Sequence, residues 1–210
     1  MASTSSRIEL RDRRRRRREE SERQILDAAE ALLRERPYRD LTVDDVMGAA
    51  GQSRTAFYRH FRDRQDLIIR LLGDLAAELF ESSSTWLAGG GDPLVESRQS
   101  TTSLVSAWAQ HGPLLRAVSE AASHEDEVER VYRGLVQVFV DATVERVERD
   151  VAAGRAVVPD VRETAIALCW MTERYLSITF DRPGAGDPRS ATEVLHAIWM
   201  RALYRLDPSG

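Results

Sequence analysis

The chain contains a single cysteine among its 210 residues. An intramolecular disulfide is thereby excluded, and nothing in the cysteine usage implies an oxidising compartment. No uninterrupted apolar stretch approaches the roughly 20 residues a membrane-spanning helix needs; AIALCWM, residues 165–171, is among the longest. The arginine-rich N-terminus has no apolar run behind its charges and does not read as a secretory signal. The expectation is a cytoplasmic protein with no membrane partner. The four histidines, His60, His111, His124 and His196, are scattered. With no HExxH, no CxxC and no glycine-rich phosphate loop, the sequence calls for neither a metal nor a cofactor and gives an enzyme little to work with. Cys169 sits in an apolar helix without a neighbouring base and reads as a buried structural thiol. Glu173 and Arg174 are adjacent on a helix and do not face each other, so they make no ready catalytic pair.

Lysine is absent as well: all 30 basic residues are arginine. That reads first as the codon bias of a GC-rich genome and second as selection for bidentate phosphate recognition. A net charge of −4 would not suggest nucleic acid, but its distribution does. Residues 1–70 hold 17 Arg against 13 Asp or Glu, whereas residues 71–210 hold 13 Arg against 21 acids. A basic N-terminal third on an acidic body fits a DNA-facing end attached to a body that is not. Aromatics at 7% and charged residues at 30% are ordinary for a globular domain, and the length suffices for a sizeable core.

The stretch TVDDVMGAAGQSRTAFYRHF, residues 42–61, organises the rest. Thr42 is placed to cap a first short helix, with Asp45 three residues on as a short, imperfect capping-box partner. Val43, Val46, Met47 and Ala50 recur at the spacing of one apolar helix face. Gly48 inside this helix suggests close approach of another backbone, and Gly51 supplies the positive φ that ends it. Ser53 is the natural cap of a second helix. At 100° per residue, Ala56, Phe57, His60 and Phe61 fall on one side and Thr55, Tyr58 and Arg59 on the other, with Arg54 at the edge. The outer set has the chemistry for phosphate contacts and for arginine against guanine in a major groove, which makes the pair a helix-turn-helix. Ser53, Arg54, Thr55, Tyr58 and Arg59 are the expected operator contacts, and Thr42 and Arg64 are expected to position helix ends on phosphates. His60 reads as a core or phosphate-contacting residue.

Residues 1–20 include seven arginines within positions 11–18. Their mutual repulsion predicts a disordered arm. Three readings stay open for it: a solvated tail, an arm tracking DNA, or a nuclear localisation signal. A helix over 20–36, with Ile25, Ala28, Ala29, Leu32 and Leu33 inward, completes a three-helix DNA-binding domain over 21–66. A long helix follows over 63–84. The break AGGGDP then opens a helical effector-binding and dimerisation domain, counted from residue 67 to 210, with helices over 94–110, 113–123, 125–153, 161–180 and 190–206. No strand signal of useful length is present, so the expected fold is all-α with nine helices.

The run TVDDVMGAAGQSRTAFYRHFRDRQDL resembles the DNA-binding signature of the TetR family of bacterial transcriptional regulators, and the helix count and order are similar to that architecture. The run departs at Arg62–Arg64, where the family usually shows Pro or a similar residue followed by Ser-Lys, and Arg64 stands in for the lysine. ALCWMTERYL followed by HAIWMRALY resembles the ethionamide-resistance repressor branch, whose members hold a long, largely apolar effector pocket. The resemblance implies that Trp108, Tyr132, Phe139, Cys169, Thr172, Glu173 and Trp199 line such a pocket, although Cys169 and Thr172 stand where that branch tends to place amides. It also implies that the last two helices form a homodimer interface with Leu176, Phe180, Leu195, Trp199 and Leu203. Together these give a dimeric repressor on a near-palindromic double-stranded operator, released by a small apolar effector. An architectural DNA-binding protein without an effector is the alternative. A small-molecule-modifying enzyme is a more distant one.

Overall fold

The computed structural model describes residues 2–204, with side chains from Arg11 onward. The C-terminal end of the last predicted helix, at residues 205 and 206, lies outside the described residues. Eight α-helices and a single 3-10 turn, Tyr38–Asp40, make up the regular structure among them. The helices are α1 (Ala2–Glu35), α2 (Val43–Ala49), α3 (Arg54–Phe57), α4 (Arg64–Ala88), α5 (Pro93–Ala122), α6 (Asp126–Ala152), α7 (Val161–Thr179) and α8 (Pro188–Leu203). The fold is therefore all-α, as expected, with one helix fewer. The missing boundary is Pro113, which lies inside α5 instead of starting a new helix. A mid-helix proline forfeits a backbone hydrogen bond and costs about 3 kcal/mol. Here Gly112, Pro113, Leu114 and Leu115 are all buried, and their packing carries the helix through.

The chain forms two compact units, 1–71 and 72–210. The division falls inside α4, whose buried Leu67, Ile68 and Leu71 belong to the first unit.

In the first unit, Ile25, Ala29 and Leu33 form the fully buried stripe of α1, which packs on α2, and α2 packs on α3. The arginine-rich arm, expected to be disordered, is the N-terminal part of α1. Arginine is a good helix former, and Arg15 pairs with Glu19 one turn on, which favours helix despite the like charges.

In the second unit, α5 is the central element and packs against α6, α7 and α8, while α7 also packs on α6 and α8. Gly112 allows the close passage: a Cβ there would lie 1.7 Å from the Phe180 carbonyl oxygen. Leu176, Phe180, Leu195 and Leu203, expected at a subunit interface, are instead buried within the chain's own core, with Leu176 and Leu203 fully inaccessible. The helical repeat that marks an apolar face does not say which neighbour covers it. The outward apolar residues of these two helices are Ile178, Val194 and Ile198.

Candidate nucleic-acid interface and ligand cavity

Thr42 takes the N-cap of α2 in an extended conformation, and its hydroxyl accepts from the Asp45 backbone N–H at 3.1 Å. The Asp45 carboxylate accepts in return from the Thr42 N–H at 3.1 Å, so the capping box is complete despite the shorter side chain. The Thr42 hydrogen bonds come first among the causes that hold Asp45 below the usual carboxylate range, and Arg36 adds to them. The helix ends at Ala50, and Gly51 follows at φ 64°, the left-handed region that glycine enters without strain. Gly48, expected at a close backbone contact, faces open space.

The α3 segment separates its side chains as the 100° periodicity predicts. Ala56, Phe57 and Phe61 are buried, whereas Ser53, Arg54, Thr55, Tyr58 and Arg59 are exposed, Tyr58 by 52%. Phe57 anchors the turn, edge-on to Tyr58 at 5.4 Å and beside Phe61 at 5.3 Å. Ser53 occupies the cap position but makes no side-chain cap bond, which leaves its hydroxyl outward. Arg54 donates from Nη1 to both carboxylate oxygens of Asp44, each at 2.9 Å, and from Nη2 to the Tyr58 hydroxyl at 3.4 Å. The Asp44 partner on α2 was not visible in the α3 pattern, because a side-chain pair between helices leaves no periodic signal.

Two expected DNA-contact residues turn inward. The His60 side chain is only 3% exposed; its Nε2 lies 3.1 Å from the Ser21 hydroxyl, and its Nδ1 lies 3.8 Å from Glu22. Burial pushes its imidazole below the ordinary range against the pull of Glu22, and Arg18 and Arg59 push the same way. This histidine joins α3 to α1, so the core alternative of its two readings is the one realised. Ser21 also donates to Gln52 at 2.7 Å, and Gln52 donates back to the Ser21 carbonyl at 3.1 Å. Arg64 is half-buried: it donates to the Leu41 carbonyl and stands 5.3 Å over the Tyr38 ring. It thus braces the 3-10 turn before α2.

The second unit contains a cavity of about 130 Å³. Its lining includes all seven residues anticipated there: Trp108, Tyr132, Phe139, Cys169, Thr172, Glu173 and Trp199. Tyr132 donates to Glu173 Oε1, which also accepts from Ser177 at 2.8 Å. Burial, then the Glu173 charge, pushes the Tyr132 phenol far above its ordinary range, so it stays a donor. Burial likewise raises the Cys169 thiol to about 11, opposed by its contact with Thr143, and leaves it protonated and unreactive. The Trp199 indole donates to Thr172 at 2.8 Å and meets Trp86 edge-on at 5.5 Å. Trp199, expected both in the cavity and at the interface, is therefore committed inward. Glu173 is the single ionisable carboxylate in the lining, and no basic residue shares it.

The helical spacing did not single out Trp86 from α4 or Ser97, Ser100 and Thr101 from α5, which also line the cavity. A run of small hydroxyl side chains on an otherwise apolar α5 face was the available signal. Nor did it reveal the buried ionic cluster next to Trp86. Arg146, 2% exposed, donates to Asp150 at 2.8 Å, to Glu96 at 3.2 Å and to the Trp86 carbonyl, with its guanidinium 5.4 Å over the Trp86 ring. Tyr204 and Arg155 complete the shell of Asp150 at 2.6 Å each. Burial alone would raise Asp150, but these donors outweigh it and hold the carboxyl below its usual range.

Residues 25–71 match the family model described as bacterial regulatory proteins, tetR family, and residues 97–205 match that of the transcriptional regulator EthR, C-terminal domain. The chain is 29% identical over 196 residues to the HTH-type transcriptional regulator EthR of Mycobacterium tuberculosis, covering 90% of each chain. It is 26% identical over 203 residues to EthR of Mycolicibacterium smegmatis, covering 93% of this chain and 92% of the relative. Among solved structures, a TetR-family regulator from Mesorhizobium loti superposes with a TM-score of 0.71 at 16% identity, over 90% of this chain and 98% of that one. NalD of Pseudomonas aeruginosa, the secondary repressor of the MexAB-OprM multidrug efflux pump, superposes with a TM-score of 0.71 at 22% identity, over 89% and 98%. The exposed polar ridge of α3, the largely apolar cavity of the second unit and both matched domains lead to one conclusion: this chain belongs to the TetR family of bacterial transcriptional regulators, in its EthR branch.

Proposed function

We propose that the protein is a homodimeric repressor whose α3 ridge reads a near-palindromic operator and which a small, largely apolar effector releases. The observation that carries the reading is the division of α3: five polar side chains outward, over a floor of Ala56, Phe57 and Phe61. Arg54 and Arg59 have the forked donors that pair with guanine or with phosphate, Tyr58 and Thr55 add hydroxyls, and Ser53 can meet the backbone. Arg54 must exchange Asp44 for DNA. Both side chains of that pair are more than half exposed, so little opposes the exchange.

The effector site is the cavity of the second unit. An engineered apolar cavity of roughly 150 Å³ is enough to hold benzene, so the cavity here suits a compact body or one arm of a longer molecule. Glu173 accepts from Tyr132 and Ser177 through Oε1. A donor on the effector would meet the remaining Glu173 oxygen. Release requires tighter binding to the conformation that cannot span two successive major grooves, since equal affinity for both states shifts nothing. Helix α4 is continuous through residues 71 and 72 and is the covalent route by which the second unit can act on the first.

The test begins with genomic fragments retained by the purified protein. Arg54→Ala and Tyr58→Ala should each weaken binding to the selected fragment by about 10- to 100-fold, the loss of about 1–3 kcal/mol expected for a base-reading contact. Their melting temperatures should match wild type, because both side chains are exposed. Wild-type affinity in both variants would overturn the assignment.

A further inference from the structure

The DNA-reading proposal leaves the arginine-rich part of α1 without a role. Arg11 and Arg13 to Arg18 are all exposed, and among the described residues Arg11, Arg13, Arg14, Arg16 and Arg17 make no ion pair. Arg15 pairs with Glu19 at 3.5 Å, with both side chains more than half exposed, and Arg18 donates to the Arg59 carbonyl at 3.4 Å. These arginines lie on every face of the helix, so no single surface of the protein could neutralise them.

We infer that the basic segment of α1 over 11–18 is a second DNA-binding element, which lies along the phosphodiester backbone beside the site read by α3. Two independent observations converge on this. The first is charge: seven guanidinium groups and one carboxylate within eight residues match a polyanion and no apolar partner. The second is position. The base of the segment is fixed to the end of the reading helix by Arg18 on the Arg59 carbonyl, and one turn later by Ser21 against His60 and Gln52. A rigid helix that leaves this corner holds its arginines near whatever α3 contacts, over about 12 Å of helix. The contacts are to phosphates only, so they add affinity and carry no sequence information.

The inference rests on the DNA-binding reading, and the test separates the two. Arg13, Arg14, Arg16 and Arg17 are replaced together by Gln in the full chain, which leaves the Arg15 and Arg18 contacts in place. Gln is as good a helix former, and circular dichroism verifies that helix content is kept. Affinity for the selected genomic fragment and for a duplex of arbitrary sequence is measured from about 50 to 200 mM salt. About half of the replaced arginines can face a duplex at once. Wild type should therefore lose about tenfold more affinity per subunit than the variant over that range, the contribution of about two phosphate contacts. The ratio of specific to arbitrary binding should stay the same. An unchanged salt slope with operator binding intact overturns the inference alone. So does retention on phosphatidylglycerol vesicles that depends on these arginines while the DNA slope stays fixed, since the segment then serves a lipid surface. A wild-type chain that binds no DNA at any salt concentration overturns both readings.

Discussion

Single residues in this protein are fixed by the atoms packed directly against them. Gly112 is the sharpest case: the atom a side chain would meet is the Phe180 backbone carbonyl, which no rotamer change can move. Gly112→Ala should lower stability by about 3 kcal/mol, the upper part of the range for overpacking. It would be read as a shift in urea midpoint at constant slope, and an unshifted midpoint would mean that α5 and the end of α7 do not meet here. Gly48→Ala has open space around it, so it serves as the control that should not destabilise. The sequence drew attention to Gly48 and not to Gly112, because the difference lies in a neighbour 68 residues further along the chain for Gly112 and in none for Gly48.

Whole elements are joined by groups that no periodicity announces. Arg146 on α6 grips the carbonyl of Trp86 near the end of α4, Glu96 on α5 and Asp150 one turn along its own helix. Removing one member of such a buried set strands the others, so Arg146→Met should cost about 3–5 kcal/mol in denaturant unfolding. The cluster also sets an acid limit. Asp150 has its folded pKa depressed, so its stabilising contribution is fully present above the unfolded carboxylate value of about 3.9 and is lost as pH falls through the lower folded value. Stability measured from pH 6 downward should therefore drop most steeply below about pH 4 in wild type, and less steeply in Arg146→Met. Equal acid limbs for the two proteins would show that the depression of Asp150 does not come from Arg146 but from Tyr204 and Arg155.

At the scale of the assembly, the second unit keeps Leu176, Phe180, Leu195 and Leu203 for itself and leaves Ile178, Val194 and Ile198 at 63%, 45% and 39% exposure. Val194 and Ile198 are one turn apart on α8, so they share a face, as residues at a subunit interface must. If two copies associate through α7 and α8, the double variant Ile178→Glu with Ile198→Glu should sediment as a monomer at micromolar concentration. It should also bind the selected operator fragment at least tenfold more weakly, because a monomer engages one half-site only. A double variant that remains dimeric would place the interface elsewhere.

Much of this protein was legible before folding. The cap at Thr42, the turn at Gly51 and the inward and outward residues of α3 are properties of a helix and its ends, and helix geometry is written locally. The seven cavity residues were reached through likeness to a family, and the structure gathers all of them around one space. Tertiary structure alone decided which apolar faces were spent inside the chain, that Pro113 did not end a helix, that His60 turned to Ser21 and Glu22, and that Arg146 closed over Trp86. Each of those outcomes depends on the competition among distant segments for the same surface, and that competition is settled only when the helices meet.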